Sequence, residues 1–157
     1  ATSTTGCFTN TYSRYEIDLE NLVATTPGTA VGCQIHVYNT GGTYQVSGYL
    51  SNYAGSLADT NITQYIACWP SNTGLSNSLT APGASGSFIV YNPSASAKAQ
   101  IRGNVNVAAA SISNNLISGG WWNTNSAIVG FRVCAATSPG TCGSTWASGT
   151  IKVYGLP

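Results

Sequence analysis

Lys98-Ala99-Gln100-Ile101-Arg102-Gly103-Asn104-Val105-Asn106-Val107 decides the fold. Ala99, Ile101, Gly103, Val105 and Val107 alternate with Lys98, Gln100, Arg102, Asn104 and Asn106. In an extended chain this period of two sends the first set to one face and the second set to the other. One dry face and one wet face mark a strand of an antiparallel sheet. The same rhythm continues on either side. Tyr15, Ile17 and Leu19 alternate with Glu16, Asp18 and Glu20, and Val31, Cys33, Ile35 and Val37 with Gly32, Gln34, His36 and Tyr38. Ala127, Val129, Phe131 and Val133 alternate with Ile128, Gly130, Arg132 and Cys134. Segments 45–53, 63–69, 87–91 and 150–154 complete a set of about eight strands, and no stretch carries a helical period.

Thr26-Pro27-Gly28, Asn39-Thr40-Gly41-Gly42, Ala81-Pro82-Gly83 and Ser118-Gly119-Gly120 supply turns between these segments. The Ser-, Asn- and Gly-rich stretches 70–86 and 111–126 read as loops, because strands resume after each. Two facing sheets would bury both apolar sides. The expected fold is therefore all-β, an antiparallel β-sandwich of jelly-roll type forming one domain over residues 1–157.

Five Lys or Arg and four Asp or Glu leave a net charge of +1, so the surface must be built from Ser, Thr, Asn, Gly and Gln. Such a surface exerts no pull on nucleic acid or anionic lipid, and no apolar run approaches the ~20 residues that span a bilayer. Neither nucleic acid nor membrane is an expected partner. Ile151-Lys152-Val153-Tyr154-Gly155-Leu156-Pro157, after a Ser148-Gly149-Thr150 turn, reads as a closing strand with nothing further to follow. Ala1 fits either removal of an initiator Met or cleavage of a leader.

Glu16, Asp18 and Glu20 form an acidic row, and Lys98 and Arg102 a basic one; paired side by side in one sheet, each would relieve the other. Side chains along a strand point in parallel, which argues against a Ca²⁺ site on the acidic row. Five cysteines leave at least one outside any intrachain pair. Cys134 and Cys142 flank a loop with a Pro-Gly turn and are the disulfide candidates. Cys33, in phase with Val31, Ile35 and Val37, reads as a buried free thiol, and Cys7 and Cys68 have no local mate. With one histidine and no CxxC, neither a metal nor a cofactor is expected.

No catalytic residues stand out, and the chain does not read as an enzyme. GxSxG, GxGxxG, P-loop and HExxH motifs are missing; Asp59 is isolated, and His36, on the polar side of its strand, reads as a surface residue. Trp121-Trp122, in tandem on an extended chain, must send one ring inward and the other outward. With Trp146, Tyr49, Tyr53 and Trp69 they are candidates for a protein interface or a sugar-stacking platform. Asn61-Ile62-Thr63 is a glycosylation sequon that matters only in a eukaryotic secretory setting. Few charges, open strand edges and exposed tryptophans together imply a homo-oligomer.

Two segments resemble β-domains on the surface of tailed-phage particles. Near the start, Tyr12-Ser13-Arg14-Tyr15-Glu16-Ile17-Asp18-Leu19-Glu20-Asn21-Leu22 is similar to that family's opening strand. It leads into Thr26-Pro27-Gly28-Thr29-Ala30, a second strand, Gly41-Gly42 and Ser47-Gly48-Tyr49. At the end, Ala127-Ile128-Val129-Gly130-Phe131-Arg132 is followed by Ser148-Gly149-Thr150-Ile151-Lys152-Val153-Tyr154-Gly155-Leu156. The resemblance implies a structural protein of the virion, made in the host cytoplasm: first a capsid decoration (cement) protein. It further implies a trimer bound to the major capsid protein or another virion protein. The alternatives are a receptor- or carbohydrate-binding module of a tail fibre, with a cell-surface glycan as partner, and a secreted lectin-like sandwich. The Cys134–Cys142 loop departs from the family pattern and suggests reinforcement once the particle has left the reducing cytoplasm.

Overall fold

The alternating segments pair antiparallel in every strand contact of the structure, a computed structural model. It describes residues 2–25, 32–45, 47–54, 64–69, 83–94, 98–109, 112–122, 124–136, 142–143 and 145–157. Among them are no helices and ten strands: β1 (Thr2–Thr5), β2 (Arg14–Ala24), β3 (Gly32–Asn39), β4 (Tyr49–Ala54), β5 (Ile66–Trp69), β6 (Ala84–Tyr91), β7 (Gln100–Ala109), β8 (Ile112–Trp122), β9 (Ile128–Ala136) and β10 (Trp146–Leu156). One sheet has four strands in the order β1-β9-β3-β5; the other has six, β10-β2-β6-β7-β8-β4.

The strand β8 corrects the reading of 111–126 as a loop. Its Asn, Ser and Gly residues have poor strand propensity, but it pairs with β7 from Ile112 to Trp121 and with β4 from Ile117 to Trp122. Ladder bonds on both edges outweigh a propensity scale that spans only about 1 kcal/mol.

Along β2, Tyr15, Ile17 and Leu19 are buried and Glu16, Asp18 and Glu20 half-buried, as the alternation requires. Beyond Leu19 the alternation breaks: Asn21 is exposed, and Leu22, Val23 and Ala24 are all buried. The cause is a bulge, with Leu19 opposite Gly86 but Leu22 opposite Ala84. Asn21 sits at φ 51°, a conformation asparagine tolerates, and its N–H donates to Ser85 Oγ at 2.9 Å. On the other flank β10 slips its register between Ser148 and Thr150, with Gly149 at φ 120°. Ser148-Gly149-Thr150 is therefore an irregularity inside β10 and not the turn before it.

Buried side chains of both sheets form one cluster: Ile17, Leu19, Phe88, Ile101 and Val105 from the six-stranded sheet, Ile35, Val37, Phe131 and Val133 from the four-stranded one. Three side-chain bonds also link the sheets, one of them from Val37 N–H on β3 to the Tyr49 hydroxyl on β4 at 2.8 Å. Ser118 Oγ on β8 donates to the Ala67 carbonyl on β5, and Trp146 Nε1 on β10 donates to the Val133 carbonyl at 3.2 Å.

Cys33 is not a free thiol. It is bridged to Cys68, with Cα atoms 5.0 Å apart, because β5 runs antiparallel beside β3 and brings the two together. A bridge spanning 35 residues restricts the unfolded chain by about 4 kcal/mol in the loop-entropy account. Cys134 and Cys142 form the second bridge. Cys7 stays outside both, and burial pushes its thiol up to about 11. Thr26-Pro27-Gly28, Asp59, the sequon at 61–63 and segment 70–82 lie outside the described residues, as do the side chains of Tyr53 and Trp69.

A Cβ on Gly149 would lie 2.7 Å from Leu22 Cδ2 and 2.8 Å from the Asn21 carbonyl oxygen, at a φ that L-residues avoid. Gly149→Ala is expected to destabilise the protein by about 1–3 kcal/mol in urea unfolding, without changing the strand content seen by circular dichroism.

Candidate functional site

The two sheets differ on the faces turned away from the shared core. On the six-stranded sheet that face is open. Opposite residues define rows across it: Arg14, Tyr91, Gln100 and Trp121 in one; Tyr154, Glu16, Ile89 and Arg102 in the next; Lys152, Asp18, Ser87, Asn104 and Ile117 in a third. Ile117 keeps 61% of its surface exposed, Tyr154 46% and Trp121 40%. Ile89, Tyr91, Arg102, Asn104 and Ile117 line a shallow hollow of about 350 Å³. Arg102 is held across it, donating from Nε at 3.0 Å and Nη2 at 2.6 Å to the Tyr91 hydroxyl.

The acidic row meets a different cation from the one its spacing suggested. β2 and β7 share a sheet, but β6 lies between them. Lys152 on β10 sits opposite Asp18, and its Nζ reaches Glu20 Oε1 at 2.5 Å. The side-chain hydrogen bond to Glu20 raises the lysine pKa. Arg102 instead bonds Tyr91. A double-mutant cycle on Lys152 and Glu20 should show a coupling that fades in high salt, whereas a cycle on Arg102 and Asp18 should show none.

The outer face of the four-stranded sheet is covered. Residues 39–45 turn back over it: Asn39 Oδ1 accepts from the N–H groups of Gly41 and Thr43, and Gln45 N–H donates to the Val37 carbonyl at 2.9 Å. His36 is consequently fully buried, which overturns its reading as a surface residue. Its ring lies among Tyr44, Tyr49 and Tyr65, at centroid distances of 5.9, 6.5 and 6.2 Å. Nδ1 is 3.0 Å from the Gln45 carbonyl and must carry the proton, since a carbonyl can only accept. The other ring nitrogen, Nε2, lies 3.2 Å from Gln34 Oε1. Beside it, the Arg132 guanidinium lies 3.4 Å from the Tyr44 ring centroid, and its Nε is buried without a hydrogen-bond partner. Desolvation, helped by Arg132, lowers the His36 pKa to about 4.

The aromatic candidates separate. Trp121 is exposed and Trp122 is buried at 3% exposure, one ring to each side. Tyr49 is buried, with its hydroxyl accepting from Val37 N–H and donating to the Gln45 carbonyl. Trp146 is half-buried and packs against the core. Tyr53 lies on the edge strand β4, its side chain outside the described residues. A joint platform of Trp121, Trp122, Trp146 and Tyr49 is therefore not assembled. Ile117, Ile89, Tyr91 and Tyr154, which the sequence reading passed over, share the open face with Trp121 instead. The alternation of Ile117 and Trp121 through Gly119 was the signal, hidden by the loop reading of that stretch.

No family model, curated protein or solved structure matches the chain.

His36 gives a pH dependence whose sign is fixed. In the unfolded chain the imidazole protonates near pH 6.5, while in the folded one it resists until about 4. Between these values the unfolded state binds the extra proton, so stability falls as pH drops from 6.5 to 4 and the contribution is flat outside that window. The loss from this group should reach about 3 kcal/mol in urea unfolding of the disulfide-intact protein. His36→Gln should flatten that part of the profile.

Proposed function

We propose that the chain is a non-enzymatic surface domain of a tailed-phage particle, a decoration protein that attaches through the open face of its six-stranded sheet. The observation that carries this reading is a pair of exposed apolar side chains on β8. Ile117 and Trp121 stand exposed opposite the uncharged Asn104 and Gln100, with Arg102 between those two tied to the Tyr91 hydroxyl. Trp121 stands without Trp122 and Tyr49, which favours a protein contact over a stacked sugar. Architecture supports the same reading. Pairs β2·β10, β3·β9 and β4·β8 are nested, alternating between the sheets, as when a long antiparallel ribbon wraps around a core. We read this as a β-sandwich of jelly-roll type, an architecture that recurs in capsids. A trimer, bound to the major capsid protein, suits the resemblance.

Recombinant protein mixed with shells of the phage that encodes it should bind in many copies, one set per repeating shell position. Ile117→Asp and Trp121→Ala should each weaken binding about tenfold or more while leaving thermal unfolding unchanged. Attachment of a few copies at the tail alone would replace decoration by a receptor-binding role. Full binding by both variants would remove this face from the contact.

A further inference from the structure

Four strands end the two sheets: β1 and β5 in one, β4 and β10 in the other. β1 and β5 have four residues each, β4 has six and lies against β5, and β10 has eleven. β10 pairs with β2 on one side only, and among the described residues no other backbone bond reaches 150–156. Its second row of N–H and C=O groups is a template for another strand. The usual guards of an edge are weak here. No proline lies within Trp146–Leu156, and the irregularity between Ser148 and Thr150 leaves Thr150–Leu156 in straight register. The one charge, Lys152, is drawn onto Glu20 of its own chain.

The core side of the same strand is also incompletely covered. Ile151 and Val153 sit opposite Leu19 and Ile17 and pack against the core, yet both are only half-buried, whereas Leu19 and Ile17 are fully buried. An apolar pair packed from one flank and open on the other is what an added strand would cover.

We propose that β10 pairs antiparallel with β10 of a second copy across a two-fold axis at Val153, joining the two six-stranded sheets into one continuous sheet. The register follows from the strand. Val153 is the midpoint of the straight stretch Thr150–Leu156, so this centre pairs every residue of it. Ile151 then lies opposite the partner's Gly155, which has no side chain to crowd it. On the outer face Lys152 lies between Asp18 of its own chain and the partner's Tyr154, a carboxylate on one side and a ring on the other. A centre at Lys152 would set two lysines opposite each other, and one at Ile151 would draw Gly149, at φ 120°, into the ladder. A centre at Tyr154 would set Ile151 opposite Pro157, which has no N–H to give. The pair is isologous, one patch used twice, so it is distinct from any threefold contact and rests on no role on a particle.

Sedimentation equilibrium of the disulfide-intact full chain, from micromolar to millimolar concentration, tests the pairing. The mass should rise from the 16.1 kDa of one chain to that of two. Tyr154→Lys, at an exposed position that leaves the core intact, would set like charges opposite each other twice per dimer. It should weaken association about tenfold or more, while the thermal unfolding of the dilute monomer stays unchanged. In a Cys7→Ala background, Val153→Cys should crosslink into dimers under mild oxidation, because directly opposite Cα atoms lie about 4.5–5.5 Å apart, within disulfide reach. Ile151→Cys, facing Gly155, should not. A mass that stays at one chain, a dimer indifferent to Tyr154→Lys, or failure of Val153→Cys to crosslink would overturn the proposal.

Discussion

Ile17, Leu19, Phe88 and Ile101 meet Ile35, Val37, Phe131 and Val133 in one buried cluster, and each strand takes its phase from which of its side chains must reach it. Since neighbours on a strand point to opposite faces, every residue committed to the cluster exposes the next one outward. The bulge at Asn21 shows how firm this demand is. The chain accepts a left-handed asparagine, and a glycine with positive φ beside it in β10, so that Leu22 and Ala24 return to the dry side after Leu19. Without the bulge Leu22 would share a face with Glu16, Asp18 and Glu20: keeping the acids wet would turn Leu22 to water, and keeping Leu22 dry would bury carboxylates at a cost of several kcal/mol each.

The same alternation fixes what must be done with the outward residues, and the two sheets solve it differently. On the four-stranded sheet His36 and Gln34 would have faced water, yet both are buried. The hairpin over 39–45 helps make this tolerable: the Gln45 carbonyl accepts from His36 Nδ1 and from the Tyr49 hydroxyl, which in turn accepts from Val37 N–H. A neutral imidazole avoids burying a charge beside Arg132, and that is the physical content of its depressed pKa.

Periodicity made the all-β class, the phase of β3, of β7, of β2 as far as Leu19 and of β9 from Phe131, and the opposite orientations of Trp121 and Trp122 legible from the sequence; before Phe131 a register shift brings Ile128, read as outward, into the core. It could not reveal partners across a sheet. Acidic Glu20 meets Lys152 and not Arg102 because β6 separates β2 from β7, and no one-dimensional pattern states strand order. Cys33 lost its reading as a lone thiol for the same reason, since Cys68 reaches it only through the β3–β5 pairing. A period of two assigns His36 to the outer face correctly but says nothing of what folds over that face. β8 escaped because Asn, Ser and Gly favour loops until two flanking strands supply hydrogen bonds.

An asymmetry follows that bears on how such a domain could be used. One outer face carries a hairpin over His36 and a disulfide at Cys134; the other is open, exposes Ile117 and Trp121 on β8 and carries Arg14, Glu16, Asp18, Arg102 and Lys152. Charged residues on the open face largely engage one another or a neighbouring group, Lys152 with Glu20, Arg102 with Tyr91 and Arg14 with the Pro157 carbonyl. Groups already paired lose less on desolvation than groups that must shed bulk water, so docking against this face carries a smaller penalty than its charges suggest. The Cys134–Cys142 bridge fastens β9 of the other sheet, so the covered face and the open face are built on separate strands.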